Sequence, residues 1–303
     1  MRSAPAGRPR TRRIRAAAPT AAVLLLVALA YASISRAPRT LFETDSAFGR
    51  VRVVERHDGL RSLYIGGGRA RQTAVFPDRP MHLELAYTRV AVIGLALVPM
   101  DGRLLYVGLG GGAMPTHARH VLPLARIDVV EIDPVIVDVA QRWFGFTPGA
   151  NLSVHTDDGR AFIERATPGM WDLIVLDAFS DDAIPFSLTT RQFLEAVRTR
   201  VTADGVVIAN LFTRGAAHAS MLATYDAVFD DVHRIAVPGR RQEIVVASAA
   251  TRALDRTTLV NVARAFAGRV ELGFDLAGLV EGGYESLPRS HASVLDDADR
   301  RER

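Results

Sequence analysis

The stretch RLLYVGLGGGAMPTHARHVLPLARIDVVEIDP, Arg103 to Pro134, decides the fold. Leu104–Val107 reads as a short buried strand. Gly108, Gly110, Gly111 and Gly112 follow as a turn with almost no side chains. Thr116–Val121 reads as the start of a helix whose limits are blurred by Pro115 and Pro123. Arg126–Glu131 is a second apolar strand, and it ends in an acid. Together these make a βαβ unit with a glycine loop after its first strand. Glycines let backbone approach a ligand closely, and a helix N-terminus offers unpaired N–H groups to polar ligand atoms. An acid at the tip of the second strand can accept both hydroxyls of a ribose. The spacing Gly108-x-Gly110-x-x-Ala113 nearly fits the dinucleotide fingerprint, so the loop by itself says "nucleoside-type cofactor". The plainer alternative is a tight strand–helix turn with Glu131 in solvent.

Composition removes several chemistries. The 303 residues contain no Lys, so lysine nucleophiles, Schiff bases and pyridoxal chemistry are excluded. With no Cys, disulfides, thiolate nucleophiles and Cys-ligated zinc are excluded too. The net charge of +4 comes from the start of the chain: residues 1–15 hold six Arg and no acid, leaving 31 basic against 33 acidic residues, or −2, in the rest. By charge the body is not a nucleic-acid binder.

Arg2–Arg15 is basic and Pro-rich, and Ala16–Ile34 is an almost uncharged apolar run. This pattern predicts a cleaved signal peptide or a single membrane anchor through residues 16–34. In either case the positive-inside rule puts the body outside the cytoplasm, at the cell membrane or exported. Next, Gly49–Glu55 and Leu60–Ile65 read as a hairpin around Asp58-Gly59. Met81–Val98 reads as one helix, with Leu83, Leu85, Tyr87 and Val90 among its apolar positions.

After Pro134, helices and strands alternate. Strands are expected at Asn151–His155, Trp171–Leu176, Val206–Asn210, Val232–Val237 and Glu243–Ala249. Helices are expected at Val135–Phe144, Arg160–Ala166, Thr190–Val201 and Ala216–Phe229. The pattern predicts an α/β fold: a seven-stranded Rossmann-like sheet closed by an antiparallel hairpin. Nicotinamide dehydrogenases usually lack that hairpin, whereas class I S-adenosylmethionine-dependent transferases have it. The chain divides into a leader (1–40), a small antiparallel β module (41–80), the Rossmann-like domain (81–250) and a C-terminal part (251–303) with one helix, Thr257–Ala267, and a polar tail.

Ligands of open α/β sheets bind at the carboxyl ends of the strands. Glu131, Asp157/Asp158 and Asp177 all fall there. Glu131 is the candidate for the ribose, Asp157 or Asp158 for an adenine amino group, and Asp177 for the reacting atoms. Asp133, just before Pro134, reads as a helix N-cap. The acidic segment Asp177–Leu188 would attract a cationic substrate. An amine has a pKa near about 10, so its alkylation needs a base beside it, and Asp177 at a rigid strand end is the candidate.

The motifs LLYVGLGGGAMP, VVEIDP, TDDGRAFI, WDLIVLDAF, IPFSLTTRQF and VLDDAD resemble spermidine synthases, in particular bacterial spermidine synthase-like proteins with N-terminal membrane segments. The likeness runs from about Phe42 to Ala298. It implies an N-terminal β module on a transferase domain. The implied reaction moves an aminopropyl group from decarboxylated S-adenosylmethionine to putrescine, releases methylthioadenosine and uses no metal. By the resemblance, Gly108, Gly110, Gly111 and Gly112 cradle the donor, and Glu131 and Asp157/Asp158 match its ribose- and base-binding acids. Asp177 matches the catalytic base, and Tyr87 a tyrosine near the diamine. Family members often pair, so a homodimer is implied.

Two departures stand out. The family loop reads Gly-Gly-Gly-Asp-Gly, and Gly111 occupies the Asp position, which normally holds the cofactor's amine end. The second catalytic-loop acid normally lies three residues after the first; here that is Ser180, with Asp181 one later as the substitute substrate ligand. A loop without its Asp leaves room for intact S-adenosylmethionine, so methyl transfer is an alternative. A non-catalytic polyamine- or nucleoside-binding homologue is another, and a nicotinamide oxidoreductase a distant one.

Overall fold

A computed structural model describes residues 37–67, 71–179, 183–213, 217–250, 252–287 and 292–302. The first sheet is an antiparallel meander of β1 (Arg39–Ser46), β2 (Gly49–Glu55), β3 (Arg61–Ile65) and β4 (Thr73–Val75). Its strands alternate, as period-2 sequences do. Val51, Val53 and Leu63 are fully buried and pack against Ile136, Val139 and Phe144, at and just beyond a helix of the second layer. Each such side chain contributes about 1.5–3 kcal/mol on burial, enough to fix the small sheet on the large one. Arg61 adds a hydrogen bond from Nη1 to the carbonyl of Trp143, 2.7 Å.

The large sheet contains β5 (Arg103–Val107), β6 (Arg126–Glu131), β7 (Leu152–Thr156), β8 (Trp171–Leu176), β9 (Val201–Phe212), β10 (Asp231–Ala236), β11 (Gln242–Ser248) and β12 (Tyr284–Ser286). Their order is β12-β10-β11-β9-β8-β5-β6-β7. Strands β5 to β9 are parallel, and β11 runs antiparallel between β9 and β10. Leu104 to Val107 are buried on both faces, as expected for a central parallel strand covered by helices. The expected seven strands and closing hairpin are present. An eighth, β12, pairs with β10 at the edge.

Helices α1 (Ala86–Ala91), α2 (Ile93–Ala96), α3 (Ala113–Val121), α4 (Pro134–Trp143), α5 (Gly159–Arg165), α6 (Arg191–Arg200), α7 (Ala217–Val228), α8 (Arg256–Ala267) and α9 (Leu276–Gly283) cover the sheet. The single helix expected over 81–98 is instead two short ones with an extended approach. Arg89 explains the late start. Its guanidinium donates to the carbonyls of Leu83 (2.6 Å) and Glu84 (3.0 Å), so those groups need no helical partners. Helix α3 begins earlier than expected, at Ala113. Pro115 then lies in the first turn, where its missing N–H costs no hydrogen bond.

The C-terminal expectation is corrected too. Residues 252–302 add α9 and β12 to the expected helix, and their last segment docks on the large sheet's helices. Leu276 and Val280 are fully buried four residues apart, and Asp275 caps α9 by accepting from the Gly278 N–H, 2.8 Å. The expected position at the membrane or outside the cell is likewise corrected: among the described residues no helix is long and apolar enough to cross a membrane. The apolar run 16–34 lies outside the described residues.

His117 on α3 sets a pH limit on the fold. It is 1% exposed, its Nδ1 is 3.0 Å from the Met81 carbonyl, and its Nε2 has no hydrogen-bond partner among the described residues. Burial pushes its pKa down to about 4, against a weaker opposing effect of the Met81 hydrogen bond. The unfolded chain therefore binds a proton below about pH 6.5 that the folded chain refuses. The stabilisation is complete above that pH and is lost as pH falls through about 4. The stability advantage of wild type over His117→Asn should shrink by roughly 3 kcal/mol between pH 7 and pH 4 in denaturant melts. An advantage that stays constant with pH would contradict this reading of His117.

Candidate active site

The parallel ladder carries the acids to one edge. Gly108 N–H donates to Val130 O (2.9 Å), Asp177 N–H to Val107 O (3.0 Å), and Asp157 N–H to Glu131 O (3.0 Å). The tips of β5, β6, β7 and β8 therefore end level with one another. Gly108 is required there: at φ +98°, a Cβ would sit 2.5 Å from the Asp177 carbonyl oxygen. The glycine loop and the β8 tip are in contact through that missing side chain.

A cavity of about 410 Å³ opens at this edge. Gly108, Gly110, Glu131, Asp158, Asp177 and Tyr87 all line it, whereas Gly111 and Gly112, expected in the same cradle, do not. Glu131 accepts from the Leu109 N–H through Oε2 (2.9 Å) and from the Asp133 N–H through Oε1 (3.1 Å). Burial pushes its pKa up, against those backbone donors. It thus holds the glycine loop in shape and keeps lone pairs for a ligand. Asp133 is the expected N-cap: its Oδ1 accepts from the Val135 N–H, 2.9 Å.

The adjacent acids Asp157 and Asp158 separate. Asp158 lines the cavity and caps α5, accepting from the Ala161 N–H at 2.8 Å. Asp157 does not line it and forms an ion pair with Arg165. Capping explains the split: α5 begins at Gly159, so the residue before it must turn toward the helix.

Asp177 has two partners. Tyr87 Oη donates to Oδ2 and Asn210 Nδ2 donates to Oδ1, both at 2.9 Å. Asn210 is itself held by Gln242, whose Nε2 donates to Oδ1 at 3.3 Å. Asp177 keeps an edge toward the cavity but is otherwise enclosed by protein. Burial pushes its pKa up to about 6, outweighing the two hydrogen bonds. Burial, and then the Asp177 charge, keep the Tyr87 hydroxyl protonated. A carboxylate held this way is ionised at neutral pH and can accept a proton from a bound amine. Asp181 lies outside the described residues.

Gly111 is occupied from outside. Its N–H donates to Thr73 Oγ1 at 2.8 Å, and a Cβ built on it would lie 2.6 Å from Thr73 Cγ2 and 3.0 Å from the Phe144 ring. Sequence reasoning missed Thr73, Asn210 and the cavity-lining Glu84. Asn210 ends the expected fifth strand, so the strand-tip rule reaches it once neutral residues are admitted. Thr73 sits on a three-residue strand with no periodicity to reveal it.

Comparison with known proteins gives a consistent set of likenesses. A profile of the Spermine/spermidine synthase domain matches residues 63–234. The polyamine aminopropyltransferase of Vibrio vulnificus (strain CMCP6) is 34% identical over 224 residues, covering 72% of this chain and 75% of that protein. The eEF1A lysine and N-terminal methyltransferase of Mus musculus is 36% identical over 195 residues, covering 56% of this chain and 28% of that protein. The crystal structure of a probable spermidine synthase from Corynebacterium glutamicum superimposes with a TM-score of 0.65 at 21% identity, over 84% of this chain and 98% of that one. This last likeness is one of fold.

Proposed function

The chain belongs to the spermine/spermidine synthase family, and on that premise we propose that its cavity transfers an aminopropyl group from decarboxylated S-adenosylmethionine to a small diamine such as putrescine. The observation that carries this reading is Asp177, fixed by Tyr87 and Asn210 at the cavity wall beside the glycine loop. The donor's nucleoside takes the loop end. Glu131 accepts its ribose hydroxyls and Asp158 its adenine amino group, while Gly108 and Gly110 let the loop close on it.

At pH 7 only about one in a thousand molecules of a free amine is neutral. Asp177 accepts the proton that the acceptor nitrogen must lose. That nitrogen attacks the methylene next to the sulfonium; the new N–C bond forms as the C–S bond breaks. The sulfur leaves with the electron pair as neutral methylthioadenosine. Positive sulfur supplies the leaving-group activation, so the protein's work is positioning and proton acceptance.

One observation favours a second reading, methyl transfer from intact S-adenosylmethionine. No acid stands at Gly111 to hold an amine or repel a carboxylate, although Thr73 and Phe144 take up the room expected beside that glycine. The likeness to a methyltransferase over 195 residues agrees with it. The first reading predicts that calorimetry ranks decarboxylated S-adenosylmethionine above the intact cofactor. The reverse order would assign methyl transfer.

A further inference from the structure

We propose that the C-terminal segment 292–299 is a strap that sets the affinity of the donor's nucleoside end, with Asp297 acting through Arg160 as a positioning residue. The proposal rests on the nucleoside reading of the cavity given above.

The base end of the cavity has two walls from distant parts of the chain. Asp158 and Gly159, at the start of α5, form one. Pro185, Ser187 and Leu188, around a single 3-10 turn, form the other. That turn's own hydrogen bonds, such as Leu188 N–H to Pro185 O, are local. Arg160 spans the two walls. It follows Gly159 directly, and its Nη1 donates to the Ser187 carbonyl at 3.2 Å and to Thr190 Oγ1 at 3.4 Å. The separation of the walls, and so the width of an adenine slot between them, is tied to where this guanidinium sits.

Asp297 decides that position. Its Oδ1 and Oδ2 accept from Arg160 Nη1 and Nη2 at 2.7 and 2.6 Å, a two-pronged pair across 137 positions of sequence. Arg160 Nε donates to Glu164 at 2.7 Å, so the whole fork is used. Asp297 is itself fixed. Its N–H donates to Gln192 Oε1 (3.1 Å), and the preceding Asp296 accepts from Arg191 Nη2 (2.9 Å) and Gln192 Nε2 (2.7 Å). Leu295, 4% exposed, anchors the segment in the core, donating from its N–H to Thr224 Oγ1 and accepting from the Arg191 N–H. The segment is thus bound to α6 and α7, and through Arg160 it reaches both cavity walls without itself lining the cavity. A lysine cannot replace Arg160, because an ammonium lacks the planar fork.

The test uses the full chain and methylthioadenosine as the calorimetric probe. Asp297→Ala should raise the methylthioadenosine Kd about ten-fold, and Asp297→Glu should recover most of it, as expected when a two-pronged charged pair is lost and regained. Arg160→Lys should behave like Asp297→Ala. The kcat at saturating donor, the diamine KM and Tm should stay within about two-fold or a few degrees of wild type, since a partly exposed pair contributes little to global stability. Because that pair is screened by salt, raising salt should weaken methylthioadenosine binding in wild type more than in Asp297→Ala. Equal Kd values in wild type and Asp297→Ala would overturn the proposal. So would parallel losses in kcat, both KM values and Tm, which would mark Asp297 as merely structural. A wild type that binds no methylthioadenosine would instead sink the nucleoside reading, and the strap with it.

Discussion

Asp177→Asn is expected to lower kcat by about a thousand-fold while leaving the donor Kd within about two-fold of wild type. The substitution is nearly isosteric, and its amide still offers an oxygen to Tyr87 or Asn210. What it removes is the capacity to accept a proton. Because burial raises the Asp177 pKa to about 6, the wild-type carboxylate is ionised above that value and protonated below it. The base is active only when ionised, so kcat/KM should rise with pH through about 6 and level off above it. In Asp177→Asn this limb should vanish along with the rate. A variant that turns over normally would remove Asp177 from the mechanism and favour a non-catalytic binding protein. Loss of donor affinity equal to the loss of rate would make Asp177 a binding group.

Glu131→Ala carries the second large effect. Its carboxylate holds the Leu109 and Asp133 N–H groups at 2.9 and 3.1 Å and is the group assigned to the ribose hydroxyls. Losing hydrogen bonds to a charged acceptor at a buried site should raise the methylthioadenosine Kd by about a hundred-fold. Part of that loss belongs to the backbone, because the Leu109 and Asp133 N–H groups would lose their acceptor. A cycle separates the parts. Wild type should prefer methylthioadenosine over its 2′-deoxy analogue, and Glu131→Ala should not. If both proteins discriminate equally, the carboxylate shapes the loop and does not touch the ribose.

Much of the site is legible in sequence because the sheet does the positioning. Leu104–Val107 is too apolar to lie anywhere but inside, and a strand that ends in glycines must end at a ligand edge or a tight turn. Once five parallel strands are counted, the acids that end β6 and follow β8 can only lie at that edge. Where two acids are adjacent, the count fails. The choice between Asp157 and Asp158 was made by the cap of α5, a matter of one residue. Asn210 sits at a strand tip but carries no charge, so a search for acids alone passes over this partner of Asp177, 33 residues further on. Thr73 fills the Gly111 space from a different sheet, and no local rule joins positions 38 apart. The C-terminal part hides its structure for a physical reason: Gly278, Gly282 and Gly283 dilute the apolar period of α9, and the docking of Asp297 depends on a pair distant in sequence. The helix expected over 81–98 broke because side-chain hydrogen bonds from Arg89 compete with the helical ones.

The chemistry proposed for this cavity joins an amine to the donor's aminopropyl carbon with Asp177 as the proton acceptor. Mass spectrometry of the purified chain incubated with decarboxylated S-adenosylmethionine and putrescine tests it directly. Methylthioadenosine and spermidine are expected in equal amounts, both lost in Asp177→Asn. Neither product from the wild type, while intact S-adenosylmethionine yields a methylated acceptor, would contradict it.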